Sequence, residues 1–262
     1  RACGTYINPD DAKKEEQKFR RMRKGHRAPD DLLTFPLWYH VVAKNETFEG
    51  GWLADETIDE LVGNLNRDFA DSGITFDLLG VNRVLNMTWF ERADPFSGSG
   101  LEAEMKAATR VGGRETLNVW TLALPEGPAG YAVFPWSYDQ SELNAKLDGV
   151  VMKWDITPGP GKTIRVGKTL THEVGHWAGL YHTFQGSSCE GSGDFVDDTP
   201  TQLNSTSPSQ GCSRIDTCPT APGDDPIFNF MDYSSDECRT QFTPGQIERM
   251  RDVLVNYRFF ED

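Results

Sequence analysis

Eleven consecutive residues constrain this chain more than any others: His172-Glu173-Val174-Gly175-His176-Trp177-Ala178-Gly179-Leu180-Tyr181-His182. Three of its five histidines fall here, spaced H-E-x-x-H-x-x-G-x-x-H. On an α-helix, positions four apart differ by about 40° of rotation, so His172 and His176 present their imidazoles from one face to one point. A third histidine six residues further on cannot reach that point if the helix continues. The helix must stop, and Gly179, midway between His176 and His182, can take a positive φ at little steric cost and turn the chain back. Three neutral nitrogens around one point are the donor set of a zinc ion with its fourth tetrahedral position open, the mark of a catalytic site. Glu173 then lies beside the metal rather than on it. It is placed as general base toward a zinc-bound water, whose pKa falls to about 7, and can pass the proton on to a leaving amine.

The remaining composition fits a folded, exported protein. At 262 residues, 37% hydrophobic and with seven tryptophans, the chain can bury a substantial core in one domain or two small lobes. It contains no apolar run of about 18 residues to span a membrane, and no apolar signal segment stands at its start. Three sequons, Asn45-Glu46-Thr47, Asn86-Met87-Thr88 and Asn204-Ser205-Thr206, suit a glycoprotein of a secretory pathway. The charge is unevenly divided. Residues 1–27 carry nine Lys and Arg against four Asp and Glu, whereas the rest carries 17 against 36, so a basic leader precedes an acidic body. That body excludes nucleic acid and anionic membrane as its partners. The leader segment Asp11 to Lys24 is charged almost all round and reads either as a solvated helix or as part of a removable propeptide, residues 1–30.

After a breaker-containing linker, Gly25 to Asp31, the pattern Phe35 to Ala43 reads as a first strand, with His40 a core or surface residue rather than a ligand. Ile58, Leu61, Val62, Leu65 and Phe69 recur at helical spacing within Ala54 to Asp71, and Gly73 ends that helix. A strand or bent pair over Ile74 to Leu85, a second helix over Leu101 to Arg110 and a buried strand over Thr116 to Leu124 follow. Ala129 to Trp136 is edge-like, since Pro135 does not suit a central strand, and Val150 to Trp154 is one more strand. A Gly/Pro loop, Thr157 to Gly161, precedes the metal helix, which is expected to begin near Val166. From His182 to Phe228 no period is visible, and Thr243-Pro244 caps a final helix reaching Tyr257.

Five cysteines add the next step. Cys189, Cys212, Cys218 and Cys238 lie in the irregular region, where a small core needs staples, and four cysteines allow three connectivities among which the residues alone do not choose. Cys3 stands apart in the leader. A thiolate is a good fourth ligand for an open zinc, so Cys3 is expected to cap the metal and keep the protein latent; a free thiol or an intermolecular disulfide is the alternative.

The zinc pattern, Asn229-Phe230-Met231-Asp232-Tyr233 and the spaced cysteines together resemble the pappalysin family of metzincin metalloproteases, and its short ulilysin-like secreted members in particular. The resemblance implies an α+β zincin catalytic domain over 31–262. Its upper lobe, about 31–182, would be a twisted mixed sheet with two helices, and its lower lobe, about 183–262, irregular, disulfide-stapled and ended by a helix. It implies Met231 as the methionine beneath the metal and Tyr233 as a phenol that stabilises the tetrahedral intermediate. It also implies the disulfides Cys189–Cys218 and Cys212–Cys238. Asp236, with Glu237 as the alternative, would line the pocket for the residue after the scissile bond and select Arg or Lys. The leader run Arg20 to Arg27 offers several such bonds. Finally, it implies calcium near Gly193 to Pro200, where Asp194, Asp197, Asp198 and Thr199 supply hard oxygens, and a second ion around Cys212 to Thr217 without assigned ligands.

Three functions of different class are thus in play. The first is a secreted, monomeric zinc endopeptidase acting on protein or peptide substrates and held by its own propeptide. The second is a catalytically inactive zinc-containing module that binds protein, against which an intact Glu173 stands. The third is a polyanion binder working through residues 13–27, against which the acidic body stands.

Overall fold

A computed structural model describes residues 3–25, 27–96, 98–159 and 167–259. They form two compact units, residues 3–5 with Asp31–Trp177, and Tyr6–Asp30 with residues 178–259.

The first unit is a five-stranded sheet in the order β2-β1-β3-β5-β4, made of β1 (Leu33–Ala43), β2 (Ile74–Leu85), β3 (Leu117–Leu122), β4 (Gly130–Ala132) and β5 (Val150–Lys153). All pairings are parallel except β4 on β5. Strand β3, inside the sheet, is buried at all six positions, Asn118 and Thr121 included, and β1 loses its in-out alternation after Tyr39, whereas the edge strand β2 stays partly exposed. Strand β1 starts two residues earlier than its sequence pattern indicates. Pro36 is tolerated because β3 pairs with β1 only from Leu37 onward, so the strand is an edge on that side at the proline. The bent pair expected over Ile74 to Leu85 is one strand with a bulge: Leu37 faces Leu78, then Trp38 faces Gly80. A Cβ on Gly80 would come within 2.6 Å of the Trp38 ring, so the bulge is a close packing point.

Helices α2 (Asp55–Asp68), α4 (Leu101–Thr109) and α6 (Lys168–Trp177) fill the expected positions, and the short helices α3 (Met87–Arg92) and α5 (Glu142–Leu147) are additional. Val166, Pro160 and Gly161 lie outside the described residues. Helix α6 is buried along residues 170–177 and packs against α2, β4 and β5. Lys168 and the Thr171 hydroxyl both reach Asp68 of α2, while Trp177 meets Phe35 edge-on at 5.6 Å between ring centroids. His40 is fully buried, stacks on Trp120 and meets Asn118 Oδ1 at 2.9 Å through Nε2; burial lowers its pKa to about 4.

The second unit has little regular structure apart from α1 (Pro9–Arg23) and α7 (Pro244–Leu254), which runs on into a π-turn over Val255–Phe259. Thr243 and Gln246 cap α7 reciprocally, with Pro244 at its first position. Disulfides join Cys189 to Cys218 and Cys212 to Cys238. Helix α1 is not a purely solvated helix: Ala12, Glu16 and Phe19 are buried, and it packs against α7. Arg23 pairs with Asp252 and Glu248, and Arg27 with Glu248, so two of the leader's basic residues are matched by acids of α7. Among the described residues no helix is long and apolar enough to cross a membrane.

Candidate metal centre

Helix α6 delivers two imidazoles as its spacing requires. The rings of His172 and His176 stand 4.8 Å apart and nearly perpendicular, and Phe134 meets His176 edge-on at 5.5 Å, restricting its rotation. Residues 3–5 bring a third donor from the other end of the chain. Gly4 N–H donates to the Gly130 carbonyl at 2.8 Å, so Cys3 bridges to Gly130 in parallel register along β4. Ligand atoms of Cys3, His172 and His176 lie within 4.8 Å of one another, and all three residues are buried. One thiol and two imidazoles converging in a buried spot are the nitrogen and sulfur donors that zinc prefers, so these residues fit the metal.

Glu173 is fully buried beside them. The Cys3 thiol donates to its Oε2 at 3.3 Å and the Thr5 hydroxyl at 3.1 Å. Burial, and next the negative charge of Glu173, push the Cys3 thiol well above its usual range. Thr5 is held in turn, since Ala132 N–H donates to its Oγ1 at 2.8 Å. Gly130 allows this crowding: a Cβ there would lie 3.0 Å from Glu173 Cγ and 3.0 Å from the Val151 carbonyl oxygen. Neither Thr5 nor Gly130 carries a local signal in the sequence, because their contacts with Glu173 are made only once β4 and α6 have packed.

The other named residues fall in the second unit. Gly179 has φ +92°, in the left-handed region, as the turn toward His182 requires. His182 stacks on Phe184, and its Nε2 lies 3.1 Å from the Tyr233 hydroxyl. Met231 is fully buried; its carbonyl accepts from Thr183 N–H and its own N–H donates to Asn229 Oδ1 at 2.9 Å. Asp236 is engaged by Arg239 through Oδ1. In the acidic loop, Asp198 accepts from Thr243 Oγ1 at 2.6 Å and Gly245 N–H at 2.8 Å, which ties it to the start of α7. Asp194 is buried, which pushes its carboxyl up to about 7, and its Oδ1 accepts from Val196 N–H. Asp197 is exposed. Among the described residues, Asp194, Asp197 and Asp198 do not form a carboxylate cluster of metal-binding geometry.

Comparison with known proteins agrees with this chemistry. The family profile Peptidase_M43, described as pregnancy-associated plasma protein-A, matches residues 129–255. An extracellular metalloprotease of Pyricularia oryzae is 44% identical over 234 residues, covering 88% of this chain and 78% of its own length. One from Verticillium alfalfae is 41% identical over 233 residues, covering 88% and 80%. Among solved structures, a promirolysin mutant of Tannerella forsythia superposes with a TM-score of 0.76 at 27% identity, covering 98% of this chain and 94% of the other. Mature mirolysin from the same organism, in complex with a cleaved peptide, gives 0.69 at 27% identity over 88% and 97%. With its histidine motif, its mixed sheet and its two disulfides, the chain belongs to the pappalysin family of metzincin metalloendopeptidases.

Proposed function

We propose that residues 31–262 form a secreted zinc endopeptidase and that residues 1–30 are its removable propeptide, with Cys3 as a donor to the zinc before activation. The observation that carries this reading is the convergence of Cys3, His172 and His176, with Glu173 touching both Cys3 and Thr5. The motif spacing supplies His182 as the third histidine. Secretion is supported by two disulfides and by relatives named as extracellular.

Bound zinc supplies Lewis-acid activation of a water and of the scissile carbonyl. Glu173 takes the proton of the attacking water and hands it to the leaving amine, while the Tyr233 phenol donates to the developing oxyanion. In the latent chain these roles are blocked twice. Cys3 and Thr5 crowd Glu173 Oε2, and Gly4 and Thr5 use backbone groups of β4 that an extended peptide would need. Asp236, steadied by Arg239, is the carboxylate that selects Arg or Lys after the scissile bond. Lys24, Gly25 and Arg27 are exposed beyond the end of α1, which favours cleavage of the leader there. A structural calcium ion near Asp194 and Thr199, whose Oδ2 and Oγ1 are shielded from solvent, is part of the same reading.

Casein digestion by the leader-freed protein tests the reading. Activity is expected, is abolished by a zinc chelator, and is lost in Glu173→Ala while zinc stays bound; a zinc-loaded, leader-freed protein that cuts nothing makes it a binding module instead. Cleavage of a peptide library tests Asp236, whose role is excluded by a preference for apolar residues after the cut.

A further inference from the structure

We propose that Arg249 is a positioning residue for His182: it pins the Gly179 turn from α7, and the leader helix completes its ion pair through Glu16. This rests on the reading of residues 1–30 as a propeptide and of His182 as a zinc ligand.

Arg249 is 5% exposed and lies on the second turn of α7. Its Nε donates to the Gly179 carbonyl at 3.0 Å. Its Nη1 meets Glu16 Oε2 at 2.7 Å, and Glu16 is likewise 5% exposed. The guanidinium lies 5.1 Å from the centroid of the Tyr181 ring and 5.2 Å from that of Phe19. One side chain therefore grips the turn at two points, the carbonyl of the glycine that reverses the chain and the ring of the residue just before His182. Gly179 has no side chain with which to anchor itself, so its carbonyl is the handle that α7 can hold.

Two of those four partners, Glu16 and Phe19, come from α1. A guanidinium keeps its charge at any accessible pH and presents a fork of donors in fixed geometry, so a buried arginine is well ordered only while its acceptors are in place. The leader thus acts on the metal centre at two places. Cys3 reaches it directly, and α1 supports the arm that carries His182 through Arg249. Leader release removes the second support together with the first, and zinc is held less firmly in the processed enzyme than the loss of one thiolate alone accounts for.

The test uses the full chain carrying Glu173→Ala, which prevents self-processing, loaded with zinc for chelator-driven release and with cobalt(II) for its visible spectrum. Arg249→Gln is expected to speed zinc loss by about 10-fold to 100-fold, the range usual for groups that orient a metal ligand, and to shift the cobalt bands. Arg249→Lys keeps one donor for the Gly179 carbonyl and recovers part of the loss. Glu16→Gln gives a smaller acceleration, and Arg20→Gln, which alters only the exposed partner of Glu16, gives none. Parental release and a parental spectrum in Arg249→Gln overturn the proposal. If that variant does not fold, Glu16→Gln decides in the same assay: release at the parental rate overturns the coupling to the leader. A parent that binds neither metal overturns the zinc reading itself, which separates the two failures.

Discussion

Replacing Gly179 by alanine asks how tightly the metal-site turn is specified. Two separate costs are expected. At φ +92° an L-residue pays about 1–2 kcal/mol for the left-handed conformation. The new Cβ would also lie 2.6 Å from Val253 Cγ1 and 3.0 Å from Cγ2, inside a fully buried part of α7, and overpacking of that kind costs about 1–3 kcal/mol. The sum, about 2–5 kcal/mol, is a large fraction of the roughly 5–15 kcal/mol that holds a folded domain together. The two terms can be separated because only the second depends on Val253. Denaturant unfolding of Gly179→Ala, Val253→Ala and the double variant, all in a Glu173→Ala background, closes a double-mutant cycle. Val253→Ala alone is destabilising, since it deletes two buried methyl groups. In the double variant the steric part of the Gly179→Ala cost vanishes, giving a favourable coupling of about 1–3 kcal/mol, while the backbone part of about 1–2 kcal/mol remains. Gly179→Ala within about 0.5 kcal/mol of the parent refutes both parts, and additive single changes refute the clash with Val253.

Two further outcomes concern a buried histidine and a disulfide. His40 is neutral in its pocket, with a folded pKa of about 4 against an ordinary 6.5. The unfolded chain therefore binds the extra proton first, and stability falls as pH drops through that window, by up to about 3 kcal/mol; denaturant curves between pH 7 and pH 4 should show a slope that His40→Gln flattens. Replacing Cys212 and Cys238 together by serine opens a 26-residue loop and is expected to cost about 3.5 kcal/mol on the loop-entropy estimate, read as a lower denaturation midpoint with β1 to β5 retained by circular dichroism.

What the sequence disclosed depended on how local the physics was. The metal helix, its stop at Gly179 and the Thr243-Pro244 N-cap of α7 are set by residues within a few positions of one another, and all three could be named from the sequence, whereas the reciprocal Gln246 contact that completes the cap is seen only in the structure. The strands of the mixed sheet were visible as largely apolar runs, although β1 begins at Leu33, two residues before the run that starts at Phe35, because it already pairs with β2 there, Leu33 against Ile74. Helices α3 and α5, at six residues each, are too short to show a period. Contacts that close over long separations left no mark. Thr5 reaches Glu173 across 168 positions and Glu16 reaches Arg249 across 233, and each residue taken alone is an ordinary polar side chain. Helix α1 illustrates the limit most clearly, because its charge all round concealed a buried face whose acid is paired from another helix.

X-ray absorption at the zinc edge tests the central claim most directly, comparing the full chain, its Cys3→Ser variant and the leader-freed protein. The full chain should show one sulfur neighbour at about 2.3 Å with nitrogens at about 2.0–2.1 Å, and the sulfur should disappear in both of the others, leaving nitrogen and oxygen only. A full chain with no sulfur at the zinc, or a sulfur that survives Cys3→Ser, contradicts the account.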